Sequence, residues 1–420
     1  MFKFLNYEFD QNSFSASFNY LGPDGTTFCE KINFRKTNYD FSNRELLDRA
    51  LFLAHIIIGT SYYKAHPTPD VALEKSLTDF QAKFFSTVYQ EGLSQFAYEN
   101  NLTRDNLAHF VAESTVEPSE LEYSGSGILC GQSGGKDSLL VAKLLTNSKK
   151  PWTAIMVSST ENYPKVIDNV GAKEFDLIIR KIDIESLKAS GGLNGHVPVT
   201  YINMAIMLIQ AILNGDNYIL TSIGHEGAEP HAYLGDLPVN HQWSKTWEAE
   251  QLFLEYVQKY VAKNIFIGSP LRQYSELKIA ELFVENCWAE YGHNFSSCNV
   301  ANYKQGINNQ ALSWCGLCAK CANSYLLFAP FLEPEDLNLL FPEHKSLLEK
   351  PELSDDFKGL LGIDEVIKPF ECIGEIAELR KAYQLKKAAY PDLPFIVPAS
   401  DFDYEKLYPA NEELTNLLEV

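Results

Sequence analysis

The chain has no run of about 18 apolar residues, so no segment reads as a membrane-spanning helix. Its start, MFKFLNYEFDQNS, carries an acidic residue at position 8 and no apolar signal-peptide core, so a secretory leader is not expected. Internal repeats and low-complexity tracts are also missing. Basic residues are scarce: 35 Lys and Arg stand against 55 Asp and Glu, a formal charge of −20. That balance argues against broad contact with nucleic acid, which depends on lysine and arginine against phosphate, but it leaves room for a local basic channel. A hydrophobic fraction of 45% and 420 residues suffice for two or three domains with a sizeable core.

The first chemical signal is GILCGQSGGKDSLLVAKLL, residues 127–145. It is not a Walker loop: G-x-x-x-x-G-K-[ST] would need Gly at 130 and Ser or Thr at 137, and the chain has Cys130 and Asp137. It is still a good anion site. Ile128, Leu129 and Cys130 read as a short buried strand, and Gly131, Gly134 and Gly135 permit a tight turn with exposed N–H groups. A helix reads from Ser138, and its N-terminus favours negative charge. Lys136 adds a point charge, and Asp137 could hold a metal beside the phosphates. The bland alternative is an ordinary glycine turn. The Ser-Gly-Gly-Lys-Asp-Ser run resembles the signature of the PP-loop ATP pyrophosphatase superfamily, a HUP-like α/β fold whose members cleave ATP between the α- and β-phosphates. The resemblance implies that Ser133, Gly134, Gly135, Lys136, Asp137 and Ser138 bind the pyrophosphate portion of ATP, with Mg²⁺ near Asp137.

Patterning divides the chain into three regions. Residues 1–125 read as an α+β region: a β-hairpin or meander around Gly22-Pro23-Asp24-Gly25, then helices over 43–60 and 78–100. Residues 126–330 alternate strand and helix. Strands are expected at 152–159, 176–183, 217–224 and near Ile265, and helices at 162–170, 199–213 and 243–261. That order predicts a doubly wound parallel sheet, with ligands beyond the C-terminal ends of its strands at loops 131–138 and 224–231. Residues 331–420 read as a helical extension with proline punctuation.

Cys298, Cys315, Cys318 and Cys321 have spacing suited to a closed tetrahedral Zn²⁺ site, which would be structural. An iron–sulfur cluster and four buried reduced thiols are the alternatives. In a chain read as leaderless, this run suits a reducing cytoplasm. Cys130 reads as a small buried residue, not a nucleophile.

His196, in a glycine-flanked loop, and His241 are candidates for proton transfer, with Lys245 placed on one helical face with His241 if a helix starts at Asn240. His225, Glu226, Glu229 and His231 follow a strand, but their spacing matches no metal-ligand pattern. A lone histidine is more often structural; three in loops at one sheet mouth favour function for at least one. For SYYK (61–64) a helix end with packed tyrosines serves as well as a ligand role.

Several stretches together are similar to one family within that superfamily, the MurL-type UDP-N-acetylmuramoyl-L-alanyl-L-glutamate epimerases. GTSYYKAHP (59–67), EGLSQFAYENNL (91–102), GGKDS (134–138), NGHVPVTYINMAI (194–206), VNHQWSK (239–245) and WCGLCAKC (314–321) occur in the family's order, over roughly residues 1–340. The resemblance implies ATP-dependent inversion of the terminal glutamate through an acyl-adenylate, releasing AMP and diphosphate, in cell-wall precursor synthesis. It implies His196, His241 and Lys245 in acid–base work and Asn194, His225 and Glu226 at the substrate, which is a small molecule rather than a nucleic acid or membrane. One stretch departs from the family: an Asn-Glu-Arg-Ser-like run is replaced by Ser222-Ile223-Gly224-His225-Glu226-Gly227. Two further readings stand beside this one: a PP-loop enzyme adenylating a nucleobase precursor or tRNA, and a non-catalytic nucleotide-binding protein.

Overall fold

The computed structural model describes residues 1–42, 44–225, 227–304 and 310–418. Strands β1 (Phe2–Asp10), β2 (Ser15–Leu21) and β3 (Thr27–Asn33) form the expected antiparallel meander, and β4 (Val71–Ala72) pairs parallel to β1. Next come β5 (Ile128–Gly131), β6 (Thr153–Ser158), β7 (Glu174–Lys181) and β8 (Tyr218–Leu220). A two-stranded hairpin of β9 (Ala232–Leu234) and β10 (Leu237–Val239) precedes β11 (Phe266–Gly268).

The large sheet has the order β11-β8-β5-β6-β7-β3-β2-β1-β4. Its first five strands are mutually parallel, and β3 pairs antiparallel with β7 through Lys31↔Lys181 and Asn33↔Ile179. The meander therefore extends the parallel sheet instead of forming its own. A buried ion pair supports this seam: Arg180 Nε donates to Glu30 Oε1 at 2.6 Å, and its Nη2 donates to Ser61 Oγ at 2.9 Å.

Successive strand residues point to opposite faces, and both faces are dry. Leu129, Ile155, Ile178, Ile219 and Ile267 enter one core with helices Glu45–Ile58, Asp79–Gln90, Val199–Asn214 and Trp247–Tyr260. Ile128, Cys130, Ala154, Met156 and Leu220 enter the other. There they meet helices Lys136–Asn147, Glu276–Tyr291 and Ala319–Phe328 and the C-terminal helices Ser354–Leu361 and Ile376–Leu385. The fold is α/β, a doubly wound sheet with a helical C-terminal layer.

Several expected elements differ. Residues 162–170 hold only a 3-10 turn, Lys165–Asn169, confined between Pro164 and the positive-φ Gly171. The strand expected at 217–224 stops at Leu220. The expected helix over 78–100 is split into Asp79–Gln90 and Ser94–Glu99. The helix expected from Trp243 begins at Trp247, because extended Thr246 caps it by accepting from the Ala249 N–H at 3.2 Å. Trp243–Lys245 is a separate 3-10 turn, so His241 and Lys245 do not share a helical face.

Candidate functional site

From β5 the chain runs to β6 and β7 on one side and returns to β8 and β11 on the other. The crevice at that switch point, beyond the C-terminal ends of β5 and β8, is where such sheets bind ligands. It holds the 131–138 loop as expected. Gly134 has φ +78°, and a Cβ there would lie 2.5 Å from Leu312 Cδ1, so the turn requires glycine. Helix Lys136–Asn147 starts immediately after, two residues earlier than expected. Gln132 steadies the loop, donating from Nε2 to the Ser138 carbonyl at 3.1 Å, while Ser138 Oγ donates to the Gly135 carbonyl at 3.1 Å. A cavity of about 190 Å³ lies beside the loop, lined by Met156, Ser158, Asn162, Tyr163, Asn302 and Leu312.

Lys136 is buried between two carboxylates, 2.5 Å from Asp137 Oδ1 and 2.6 Å from Glu276 Oε2. Burial opposes its charge, but the two carboxylates outweigh that and hold its pKa above the ordinary value. Asp137 is 28% exposed and open to a ligand. Burial raises its pKa, Lys136 counteracts, and Glu276 adds to the rise. Glu276 opens helix Glu276–Tyr291, whose cap Ser275 accepts from the Lys278 N–H at 3.2 Å. Sequence reasoning missed Glu276; the Ser-Glu-Leu-Lys start after β11 is its only local signal.

The second half of the site is a histidine cluster. Hairpin β9–β10 turns at Gly235-Asp236 and closes with the His231 N–H donating to the Val239 carbonyl at 2.8 Å. This brings the His231 and His241 rings within 6.2 Å. His196, in the loop before helix Val199–Asn214, lies 4.4 Å from the His241 ring. His241 Nδ1 bonds Gln95 Oε1 at 2.6 Å, and Gln95 Nε2 donates to Glu99 Oε1 at 2.7 Å. An amide oxygen only accepts, so Nδ1 carries the hydrogen and Nε2 keeps its lone pair.

Burial lowers the His241 pKa to about 4, with Glu371 opposing the shift and Lys245 and Lys320 reinforcing it. His196 falls to about 3 by burial, then by His241 and Lys64. Both are neutral at pH 7. Lys64 Nζ donates to the Gly195 carbonyl at 2.9 Å, and burial brings the Lys64 pKa down to about 8.

The structure thus brings His196, His241 and Lys245 together. Lys245 is pinned through its carbonyl, which accepts from Arg272 Nη1 at 2.8 Å. Arg272 is wholly buried and bonds the Gly224 carbonyl and Glu250 too. Asn194 is exposed at the rim, its carbonyl accepting from Asn100 Nδ2 at 3.1 Å. His225 lies away from the other histidines, stacked on Tyr408 with ring centroids 3.5 Å apart. Burial lowers its pKa to about 4. Glu226 lies outside the described residues.

The sulfurs of Cys298, Cys315, Cys318 and Cys321 all lie within 4.8 Å of one another. Three pairs are 3.6, 3.7 and 3.8 Å apart. A tetrahedron with metal–sulfur bonds of about 2.3 Å has edges of about 3.8 Å, so the four thiols fit a single tetrahedral metal ion. Backbone N–H groups of Ala301, Gly316 and Leu317 point at Cys298, Cys321 and Cys315 sulfurs at 3.3–3.4 Å, which would spread thiolate charge. Cys130, by contrast, is wholly buried, and burial pushes its pKa up to about 12.

Residues 366–375, for which the sequence offered no role, cross the site mouth as an irregular strap. Lys368 pairs with Glu229 at 2.7 Å, and Phe370 stacks on His231. Glu371 Oε2 accepts from Asn299 Nδ2 at 3.0 Å, and the Cys372 carbonyl accepts from Lys320 Nζ. The Ile373 carbonyl accepts from Gln242 Nε2 at 2.8 Å, and the Gly374 N–H donates to Asn323 Oδ1 at 2.9 Å. Among the described residues, no helix is long and apolar enough to cross a membrane.

Residues 1–267 match the family model of the MurL N-terminal domain and residues 294–396 that of the MurL C-terminal domain. Three relatives bear the name UDP-N-acetyl-alpha-D-muramoyl-L-alanyl-L-glutamate epimerase. The protein from Xanthomonas oryzae pv. oryzae is 31% identical over 91% of this chain and 84% of its own length. The Salinispora tropica protein is 32% identical over 94% of this chain and 87% of its own, and that of a Micromonospora species 32% over 90% and 84%. The first family model alone spans the phosphate loop and the histidine cluster, and with relatives this similar over nearly the whole length, the chain belongs to the MurL family.

Proposed function

We propose that the chain inverts the terminal L-glutamate of UDP-N-acetylmuramoyl-L-alanyl-L-glutamate to D-glutamate, an ATP-driven isomerisation in peptidoglycan precursor synthesis. The carrying observation is that the glycine loop before helix Lys136–Asn147 and a pair of buried imidazoles lie at one sheet mouth, under a strap that bonds Lys320 through Cys372 and Gln242 through Ile373. The relatives' shared name supplies the substrate.

An α-proton beside a free carboxylate is very hard to remove, because the carbanion would form next to a negative charge. Adenylation removes that charge. In this reading the chain is a PP-loop enzyme: Ser133, Gly134, Gly135, Lys136 and Ser138 hold the ATP phosphates, and the helix N-terminus after Gly135 faces them. Asp137 and Glu276 would hold Mg²⁺, which neutralises the leaving diphosphate. A substrate carboxylate oxygen attacks the α-phosphorus, and the bond to diphosphate breaks.

His241 Nε2, whose lone pair is fixed by Gln95, then takes the α-proton, and the C–H electron pair moves onto the acyl oxygen. Water on the opposite face returns a proton, and the hydroxide left behind takes the proton that His241 passes to the adjoining His196, whose ring lies 4.4 Å away. Burial, reinforced by the charges of Lys245 and Lys64, keeps the two imidazoles neutral. Water then cleaves the acyl-adenylate, so one ATP and one water give AMP and diphosphate. Cys298, Cys315, Cys318 and Cys321 would hold structural Zn²⁺, the borderline-soft ion that four thiolates and no open position suit. A soluble cytoplasmic location agrees with a nucleotide-linked small-molecule substrate.

The test is incubation with ATP, Mg²⁺ and the UDP-linked dipeptide, following AMP and assaying hydrolysed glutamate by chiral chromatography. AMP together with D-glutamate is expected. AMP without inversion would overturn the epimerase reading in favour of another acyl acceptor, and no AMP would overturn adenylation.

A further inference from the structure

Lys320 sits inside the thiol knuckle, between Cys318 and Cys321, at the start of helix Ala319–Phe328. Its one hydrogen-bond partner among the described residues is the Cys372 carbonyl on the strap, and no carboxylate there lies within ion-pair distance of its ammonium. It is half-buried all the same. An ammonium has three N–H donors, and with only one spent among the described residues two remain for an anionic ligand. Lys136, by comparison, has two carboxylates against it.

Position says which anion. The partner of Lys320, the Cys372 carbonyl, adjoins Ile373, whose carbonyl accepts from Gln242 beside His241, and the thiol segment reaches the phosphate loop through the Ser296 N–H, which donates to the Gly134 carbonyl at 3.2 Å. The acyl group of an adenylated substrate must lie between those two places, with phosphorus on one side and the α-carbon on the other. Granting the epimerase reading, we propose that the Lys320 ammonium binds the substrate carboxylate that is adenylated. The same contact would then take up negative charge on the acyl oxygen as the α-proton leaves, a role worth on the order of 10²–10³-fold in rate for a single donor. The thiol cluster has a second task in this picture, because Cys318 and Cys321 fix the backbone on either side of the cation.

The experiment compares wild type with Lys320→Met and Lys320→Arg as full chains, after checking that melting temperature and bound metal are unchanged. Calorimetry measures binding of the UDP-linked dipeptide and of the same compound lacking the glutamate. Substrate-dependent exchange of labelled diphosphate into ATP measures adenylation. Expected is that wild type prefers the dipeptide, that Lys320→Met loses that preference and at least 100-fold in exchange while its affinity for ATP stays within threefold, and that Lys320→Arg recovers part of both. A Lys320→Met chain that keeps its metal, the preference and the exchange overturns the assignment. So does one that loses its ATP affinity in step with exchange, which would mark a general collapse of the site. Failure of wild type to bind either compound would instead overturn the epimerase reading itself.

Discussion

Gln95 Oε1 lies 2.6 Å from His241 Nδ1, and the amide cannot turn over, because its nitrogen is spent on Glu99 at 2.7 Å. This contact selects one tautomer and leaves the Nε2 lone pair of His241 for proton transfer. Replacing Gln95 with Leu should lower kcat by about tenfold or more with little change in KM, since the base loses orientation and not binding energy. Gln95→Glu should place a carboxylate on Nδ1, raise the imidazole pKa, and move the acidic limb of kcat/KM upward. A limb unmoved in Gln95→Glu would disprove His241 as the base.

The two imidazoles should separate by stereochemistry. In D₂O, with L-configured substrate, His241→Asn should abolish α-deuterium uptake, whereas His196→Asn should permit removal of the proton but return it to the same face. Losses of about 10²–10⁴-fold in inversion are expected for each. Equal washout in both variants would contradict the division of roles.

Acid should unfold this protein through its buried histidines. His241 and His196 have folded pKa values of about 4 and 3, below the ordinary 6.5. Below pH 6.5 the unfolded chain takes up protons that the folded one refuses, so stability falls as pH drops from 6.5 towards 4. Melting temperature against pH should therefore decline over that window, less steeply in His241→Asn than in wild type.

Glu378 works in the opposite direction. It is buried, accepts from the Leu277 N–H at 2.7 Å, and burial followed by Glu276 and Glu375 pushes its pKa up to about 8. The folded state keeps a proton that the unfolded state releases above its ordinary 4.5, so this contribution is lost as pH rises from 4.5 through about 8. Glu378→Gln should melt higher than wild type above pH 8 and should flatten the stability curve between pH 4.5 and 8. An unchanged slope across that window would show that Glu378 is ionised in the fold.

Chelation should separate the two halves of the site. Stripping the thiol cluster, or Cys321→Ser, should lower the melting temperature by several degrees and abolish substrate-dependent adenylation. Affinity for ATP should survive, because the phosphate loop belongs to the sheet. Loss of ATP affinity in parallel would show that the two halves do not separate.

Much of the molecule was legible from local pattern. Gly134 and Gly135 after an apolar strand marked the tight turn between β5 and its helix, and the cysteine spacing marked a cluster whose sulfurs do converge. What escaped was non-local or irregular. Residues 243–261 have continuous helical patterning, yet Thr246 breaks them by capping, which turns Lys245 out of register with His241. The short β9–β10 hairpin joins His231 to His241 with only three residues per strand, too few for alternation to show. Glu276 and Gln95 reached their partners Lys136 and His241 through tertiary packing, which the Ser-Glu-Leu-Lys start beside Glu276 does not specify.

The strap over residues 366–375 lies more than a hundred residues beyond His241, and it bonds Gln242 from one side and Asn323 from the other. A chain growing from its N-terminus would possess loop, histidines and thiols well before it had anything to close them with. Completion of the mouth is thus a late event in the synthesis of each molecule.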